Sequence, residues 1–270
     1  MRFLFWNIND RPIHGSIAQL VVDHDVDILV LAEARSHISK LLAAINPIGN
    51  AEFYQIDSPG CERINIFARF PACFAKACYE TSHMTTQHFS PPGVDSFLLV
   101  GVHMPSKWNA DERDQAGHCE DLATAIAEVE DQVGHTRTIL VGDVNQNPFE
   151  EGMLSAKGLH AVTSADVARR ESRKFNKQPY RMFYNPMWGK FGDTTAGPSG
   201  TYFHVSSKKC EIFWHILDQV LIRPNLLSRF QQNSLQILSG HSGMTFLNNK
   251  GRPSKTNASD HLPILFEMSI

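Results

Sequence analysis

The feature that most constrains this chain is a series of short apolar runs, rich in β-branched residues, that stop at side chains able to handle metals or protons. The runs Arg2–Trp6, Asp27–Leu31, Ile64–Phe70, Ser96–His103, Thr138–Val141, His215–Ile222 and Leu262–Met268 read as buried strands. The first runs into Asn7 and the second into Glu33. Leu98–Val102 delivers His103, and Thr138–Val141 delivers Gly142–Asp143–Val144–Asn145. Asp218 sits inside its run, and Asp260–His261 immediately precede the last one. Strand ends of α/β domains are where side chains from distant sequence positions converge. One polar strand end would mean little, whereas a repeated arrangement points to a site.

Between the runs lie helical patterns. Ile38, Leu41, Leu42 and Ile45 share a face at helical spacing. A longer helix is expected from Asn109, a good N-cap, with Glu112 completing a capping box. Leu122, Ile126, Val129 and Val133 would form its buried stripe, and Gly134 would end it. Strands recur from residue 2 to residue 268 with no repeat and no Pro/Gly/Ser-rich linker, so residues 1–270 are expected to form one α/β domain.

The net charge of −3 excludes binding of polyanions by bulk charge, so any such binding must come from a local patch. The five cysteines are scattered and form no C-x-x-C pair, which suits reduced thiols. No apolar run approaches the ~20 residues that span a bilayer. The N-terminal MRFLFWNIND lacks the apolar length of a secretory signal, so a soluble cytoplasmic protein is expected. Of the 13 histidines, none shows metalloprotease-type spacing.

The segment 169–203 breaks the pattern. It has no clear period and mixes Arg169, Arg170, Arg173, Lys174, Lys177, Arg181 and Lys190 with aromatic residues including Phe175, Tyr184 and Trp188. Read as an irregular insertion walling a cleft, it suits phosphate contact by Arg169, Arg170, Arg173 and Lys174 and stacking by Tyr184 and Trp188. Read blandly, it is a surface loop with solvated cations. Asp218 is harder to dismiss, because a carboxylate amid apolar residues costs several kcal/mol unless a cation or donors compensate it. A histidine, a metal ion or backbone N–H groups would each do so.

The segments WNIN, LAEA, GVHMPS, GDVNQNP, HILDQV and SDHLP occur in the order of the motif series of the endonuclease/exonuclease/phosphatase superfamily of deoxyribonuclease-like enzymes, which the chain resembles from residue 3 to about 268. The resemblance implies a four-layered αββα sandwich, two packed mixed sheets flanked by helices, with the active site at strand ends along one edge. It further implies hydrolysis of a phosphate ester with Mg²⁺ or Mn²⁺. Glu33 would be the central metal ligand, with Asn7 beside it and Asp260 opposite, a set of hard oxygen donors such ions prefer. His261 would be the general base, oriented by Asp218. Asp143 and Asn145 would position the nucleophile and a non-bridging oxygen, and His103 would donate to the phosphate or to the leaving oxygen.

The chain departs from the pattern in two places. His103–Met104–Pro105–Ser106 replaces the Tyr–x–Pro–Asn-like turn usual in abasic-site endonucleases, and Asn9–Asp10–Arg11 follow the first Asn where many members carry glycine. Asn9 would reach the metal through water, and Arg11 would contact phosphate. The leading expectation is a nuclease, with nucleic acid as substrate. A phosphatase or phosphodiesterase acting on an inositol phosphate, a nucleotide or a phospholipid head group would use the same site. A catalytically silent binding protein is disfavoured, because all six motifs keep residues able to do chemistry.

Overall fold

The computed structural model describes residues 1–36, 38–48, 53–107, 112–207 and 209–270. All seven apolar runs contribute strands. In the first sheet the order is Gln236–Ile237, Ile264–Glu267, Arg2–Asn7, Ile28–Ala32, Ile64–Ala68, Tyr54–Ile56. In the second it is Ala75–Thr81, Met84–Phe89, Phe97–His103, Thr138–Asp143, Asp218–Ile222, Phe183–Tyr184, Ala161–Val162. Both sheets are mixed. Arg2–Asn7 runs parallel to Ile28–Ala32, with the helix His14–Asp23 crossing between them. Phe97–His103 runs parallel to Thr138–Asp143, with the helix Glu112–Val133 crossing between them.

Alternation along the strands assigns each face. In the second sheet Phe97, Leu99, Ile139, Val141, Val220 and Ile222 pack in one cluster with residues of the first sheet. Val100, Val102, Leu140 and Leu221 point the other way, onto Leu122 and Ile126 of the long helix. Phe3 of one sheet meets Phe97 of the other edge-on at 6.3 Å. The sheets approach closely enough that a Cβ on Gly101 would lie 2.8 Å from Ile64 Cγ2. With His14–Asp23 and Ile38–Ile48 packed on the first sheet and the long helix on the second, the chain is the expected four-layered αββα sandwich.

Several expectations need adjustment. The cap at Asn109 lies outside the described residues, and the helix runs Glu112–Val133, ending as expected at Gly134 with φ +75°. The run His215–Ile222 divides: Trp214–His215 pairs with Tyr202–Phe203, while Asp218–Ile222 enters the large sheet. The segment 169–203 is not an irregular insertion. Ser172–Phe175 and Gln178–Arg181 form a two-stranded hairpin, Phe183–Tyr184 is a strand of the second sheet, and Pro186–Lys190 is a 3₁₀ turn. No helix among the described residues is long and apolar enough to cross a membrane.

Candidate active site

The two parallel pairs end side by side. Asn7 lies opposite Ala32 in one sheet, and His103 lies opposite Asp143 in the other. Asp218, at the start of an antiparallel strand, is also opposite Asp143, so three polar side chains stand at one level across three adjacent strands. Asp260 and His261 arrive at this edge because Ile264 pairs with Phe5 of the first strand. The Trp6 indole N–H donates to the His261 carbonyl at 2.9 Å, and the Ser259 hydroxyl donates to the Asn7 carbonyl at 2.8 Å.

Local backbone geometry sharpens the edge. Gly142 is required because a Cβ there would fall 2.0 Å from the Val102 carbonyl oxygen. Asn145 has φ +55° and closes a turn in which its N–H donates to Asp143 Oδ1 at 2.9 Å. Its amide donates to the Met104 carbonyl at 2.8 Å. Glu33 has φ +50° and Asn9 φ +48°. For glutamate that conformation is strained, and such outliers concentrate at functional sites.

Asp218 is fully buried, and the compensation its sequence context demanded is His261. The His261 Nδ1–H donates to Asp218 Oδ2 at 2.8 Å, with Oδ1 at 3.1 Å. Thr201 Oγ1 accepts the Leu217 and Asp218 amides. Burial pushes the Asp218 carboxyl up, against the pull of His261. Burial works to lower the His261 imidazole, but the Asp218 and Asp143 carboxylates outweigh it and hold it above its ordinary value. His261 Nε2 is left facing the edge, 3.9 Å from Asp143 Oδ2, with the Tyr202 ring 4.7 Å from its own.

His103 sits between two carboxylates, its Nε2 3.3 Å from Glu33 Oε1 and 3.8 Å from Asp143 Oδ2. Burial nevertheless dominates and lowers this imidazole below its ordinary value, against the pull of the Asp143 and Glu33 carboxylates. The Asn7 amide donates to Asp143 Oδ2 at 2.9 Å and to Glu33 Oε1 at 3.3 Å. Asn9 bridges onward, its N–H donating to Asn7 Oδ1 and its amide to Asp260 Oδ1 at 2.8 Å. Burial raises the Asp260 carboxyl, but His261, Asn9 and Lys255 overcome this and leave it below its ordinary value, hence ionised.

Glu33, Asn7 and Asp260 thus flank one another through Asn7 and Asn9. Among the described residues, the tightest set of potential ligands is instead Asp143, Asp218 and His261, whose ligand atoms lie within 4.8 Å of one another. That set is better read as a hydrogen-bonded relay, because both Asp218 oxygens are engaged by His261 Nδ1 in full burial. Glu33 and Asp260 keep about a quarter and a fifth of their side chains exposed, and Lys255, 3.1 Å from Asp260, is the one cation paired with either of them among the described residues. Such excess negative charge on oxygen donors open to solvent fits a hard divalent ion.

The expected substrate-binding residues do not gather here. Tyr184 pairs with Ile222, is 8% exposed, and packs against Phe230 with its hydroxyl accepting from Gln232, so it belongs to the core. Ile222 lies at the end of its strand remote from Asp218, and the hairpin precedes Tyr184, so Arg173 and Lys174 lie toward the far end of the sheet. Arg181 anchors the hairpin there by pairing with Glu130 and Asp131 in the last turn of the long helix. Arg169 and Arg170 follow the short helix Ala165–Ala168 and are exposed. The cleft-wall reading therefore fails for residues 169–184: a basic loop was assigned to the site by its charge, whereas sheet pairing carries it elsewhere. Trp188 instead stands 6.5 Å from the ring of Phe149, which follows the Asn145–Pro148 turn.

Sequence reasoning missed Lys255 and the network beside the turn. Asn147 donates to His215 Nδ1 at 3.0 Å, while His215 Nε2–H donates to Glu211 at 3.2 Å. The proximity of His215 to Asp218 in the sequence was its only signal, and Asn147 was in view within GDVNQNP.

No family model and no curated protein matches the chain. Solved structures do. An endonuclease/exonuclease/phosphatase family protein from Leptotrichia buccalis has a TM-score of 0.61 at 13% identity, covering 100% of both chains. An AP endonuclease from Archaeoglobus fulgidus has 0.59 at 14%, again covering 100% of both. The 3′ phosphatase NExo from Neisseria, bound to product DNA hairpin, has 0.55 at 15%, covering 99% of each. By layer order, strand connectivity and likeness to these structures, the chain has the endonuclease/exonuclease/phosphatase fold.

Proposed function

We propose that the protein is a divalent-metal-dependent phosphoester hydrolase, with a nucleic acid phosphodiester as its substrate. The observation that carries the reading is the buried Asp218–His261 pair, with His261 Nε2 directed at the edge where Asp143, Asn145, His103 and Glu33 also stand. Glu33 and Asp260, with the Asn7 amide oxygen, would hold Mg²⁺ or Mn²⁺, which supplies charge neutralisation at the phosphate.

His261 Nε2 takes a proton from the attacking water as the new P–O bond forms and the bond to the leaving oxygen breaks, the leaving oxygen taking its proton from solvent. Asp218 fixes the tautomer that leaves Nε2 free to do so and stabilises the imidazolium that results. Asp143 and Asn145, tied together by their own turn, orient the water and a non-bridging oxygen. His103, its imidazole held below its ordinary value and its Nε2 3.3 Å from Glu33 Oε1, suits a hydrogen bond to a non-bridging oxygen better than protonation of the leaving group. Phosphoryl chemistry depends mainly on positioning and charge stabilisation, which this set provides.

Supporting nucleic acid as the substrate class are the similar structures, one an AP endonuclease and one a 3′ phosphatase bound to a product DNA hairpin. The test is a panel of single- and double-stranded DNA, RNA, inositol phosphates and sphingomyelin with Mg²⁺, Mn²⁺ or a chelator. Turnover of a nucleic acid with metal, lost with chelator and in His261→Ala, is expected. Turnover confined to a small ester overturns the substrate class, and turnover indifferent to chelator and to His261→Ala overturns the mechanism.

A further inference from the structure

The hairpin Ser172–Arg181 has no role at the catalytic edge, yet it is built with care. Its four residue pairs are in register. Arg181 clamps one strand to Glu130 and Asp131, and Arg173 Nε donates to His160 Nε2 at 3.2 Å in the other. The turn residues Asn176 and Lys177 have φ +47° and +66°. Two left-handed residues make the tight turn whose twist suits a hairpin, and glycine is the unstrained choice at the second position. A lysine there sets a cation at the tip at a conformational cost.

Residues 169–179 are all exposed and carry Arg169, Arg170, Arg173, Lys174 and Lys177 against the lone acid Glu171. Arg169 has only an exposed pairing with Asp166 at 3.8 Å, and Arg170, Lys174 and Lys177 form no ion pair among the described residues. Register puts Arg173 and Phe175 on one face with their partners Tyr180 and Gln178. The Phe175 and Tyr180 rings lie 6.4 Å apart, and Phe175 is 42% exposed. Arg170, Lys174 and Lys177, without an ion pair among the described residues, on a segment that also carries the accessible Phe175 ring, match a nucleic acid strand, whose phosphates need charge and whose bases need a stacking surface. An apolar tip, which a lipid surface would call for, is missing: the tip is Asn176–Lys177.

We propose that this hairpin is an exosite for a nucleic acid strand, separate from the catalytic edge, which grips the part of a long substrate that is not being cut. The proposal rests on the nucleic acid reading of the active site for its substrate class. Ile222, level with Tyr184, lies four residues beyond Asp218. At ~3.3 Å per residue Tyr184 stands about 13 Å along the sheet from Asp218, and the hairpin before it is held at that end by Arg181 on Glu130 and Asp131, so a strand of several nucleotides is needed to engage both.

The experiment measures equilibrium binding of a fluorescent single-stranded oligonucleotide of about 30 nucleotides, in chelator, across a salt series. Chelated binding requires no turnover, so a protein that binds but hydrolyses nothing fails the catalytic reading alone. In a variant with Arg170, Arg173, Lys174 and Lys177 changed to Gln, the slope of log K against log salt should flatten by about 2–3, from ~0.7 per lost phosphate contact. Should that variant fail to fold, Lys177→Gly removes one cation while relieving the turn, and its slope should fall by about 0.7. Slopes unchanged in the folded variants overturn the exosite. So does hairpin-dependent binding to phosphatidylserine vesicles without binding of the oligonucleotide, which would assign the surface to a membrane.

Discussion

Replacing Asp218 with Asn tests the catalytic assignment most directly, because it keeps the shape of the side chain and changes only its charge and donors. Asp218 accepts the His261 Nδ1–H at 2.8 Å and is fully buried, so no water can take its place. An amide at this position offers an N–H toward Nδ1 and favours the tautomer with the proton on Nε2, the wrong one for a base. General-base catalysis contributes roughly 10²–10⁴-fold, which at 1.36 kcal/mol per decade is about 3–5.5 kcal/mol on the barrier. The loss should fall on kcat, with KM and the metal concentration for half-maximal rate little changed, since Asp218 touches neither substrate nor the expected ligands. The pH profile should move as well. Activity needs His261 deprotonated, and the neighbouring carboxylates hold its imidazole up. Removing one of them should shift the acid limb to lower pH. The assay is hydrolysis of the best substrate from the panel at saturating Mg²⁺ or Mn²⁺. A kcat within about threefold of wild type, with the acid limb unmoved, would falsify the pairing as the catalytic base.

Three other outcomes follow from the same contacts. Glu130 is buried with Arg223 Nε 2.8 Å away and Thr138 and Arg181 also bonded, so Glu130→Ala should destabilise the fold by about 3–5 kcal/mol in denaturant titration, and Glu130→Leu with Arg223→Met should restore most of it; a loss below about 1 kcal/mol would contradict the buried-pair reading. Hydrogen bonds from Ser206 and the Phe213 amide, then His215 and the Ile212 amide, hold the Glu211 carboxyl down at about 2 from an ordinary 4.5, against burial. Its stabilisation is complete above pH 4.5 and is lost as pH falls toward 2, so Glu211→Gln should lower Tm at pH 7 and change it little near pH 2, whereas an equal deficit at both would sink the assignment. Burial pushes the Cys119 thiol up to about 12, while Cys73 and Cys210 are exposed, so a thiol reagent should label those two promptly and Cys119 only after unfolding; rapid native labelling of Cys119 would show the helix interface to be open.

Most candidate site residues were legible through the joint order of the motifs that carry them, since Asn7, Glu33 or His103 taken alone has an ordinary reading. Asp218 alone stands out locally, as a carboxylate within an apolar strand that is costly to bury without a partner. The strands were legible because apolar periodicity is dictated by burial, and the four layers because the motif order resembles that of a known family. The helix His14–Asp23 was not read, and its start at Ile13 carries no side-chain cap to announce it. The hairpin Ala75–Thr81 with Met84–Phe89 was missed as well, its first strand being a partly exposed edge without a clean alternation. Tyr184 and Arg173 were misplaced because a residue type reports what a side chain can do, not which end of a sheet it occupies. That is fixed by the pairing of Tyr184 with Ile222, thirty-eight residues on, and no local pattern encodes it.

The net charge of −3 averages two ends of unlike sign. Glu33, Asp143 and Asp260 make the catalytic edge acidic, whereas Arg169 through Lys177 make the opposite end basic. Without a divalent ion the edge would repel a phosphodiester, so on the exosite proposal a polyanion at low metal would be drawn first to the hairpin. The two interactions then respond differently to solution conditions. Capture at the proposed hairpin exosite should weaken with monovalent salt through counterion release. Engagement of the edge follows divalent metal instead, because excess negative charge on Glu33 and Asp260 must be neutralised before a phosphate can sit among them. An enzyme arranged this way should lose its preference for long strands at high salt while keeping its turnover of the shortest ones, a separation that a single basic cleft around the catalytic residues would not produce.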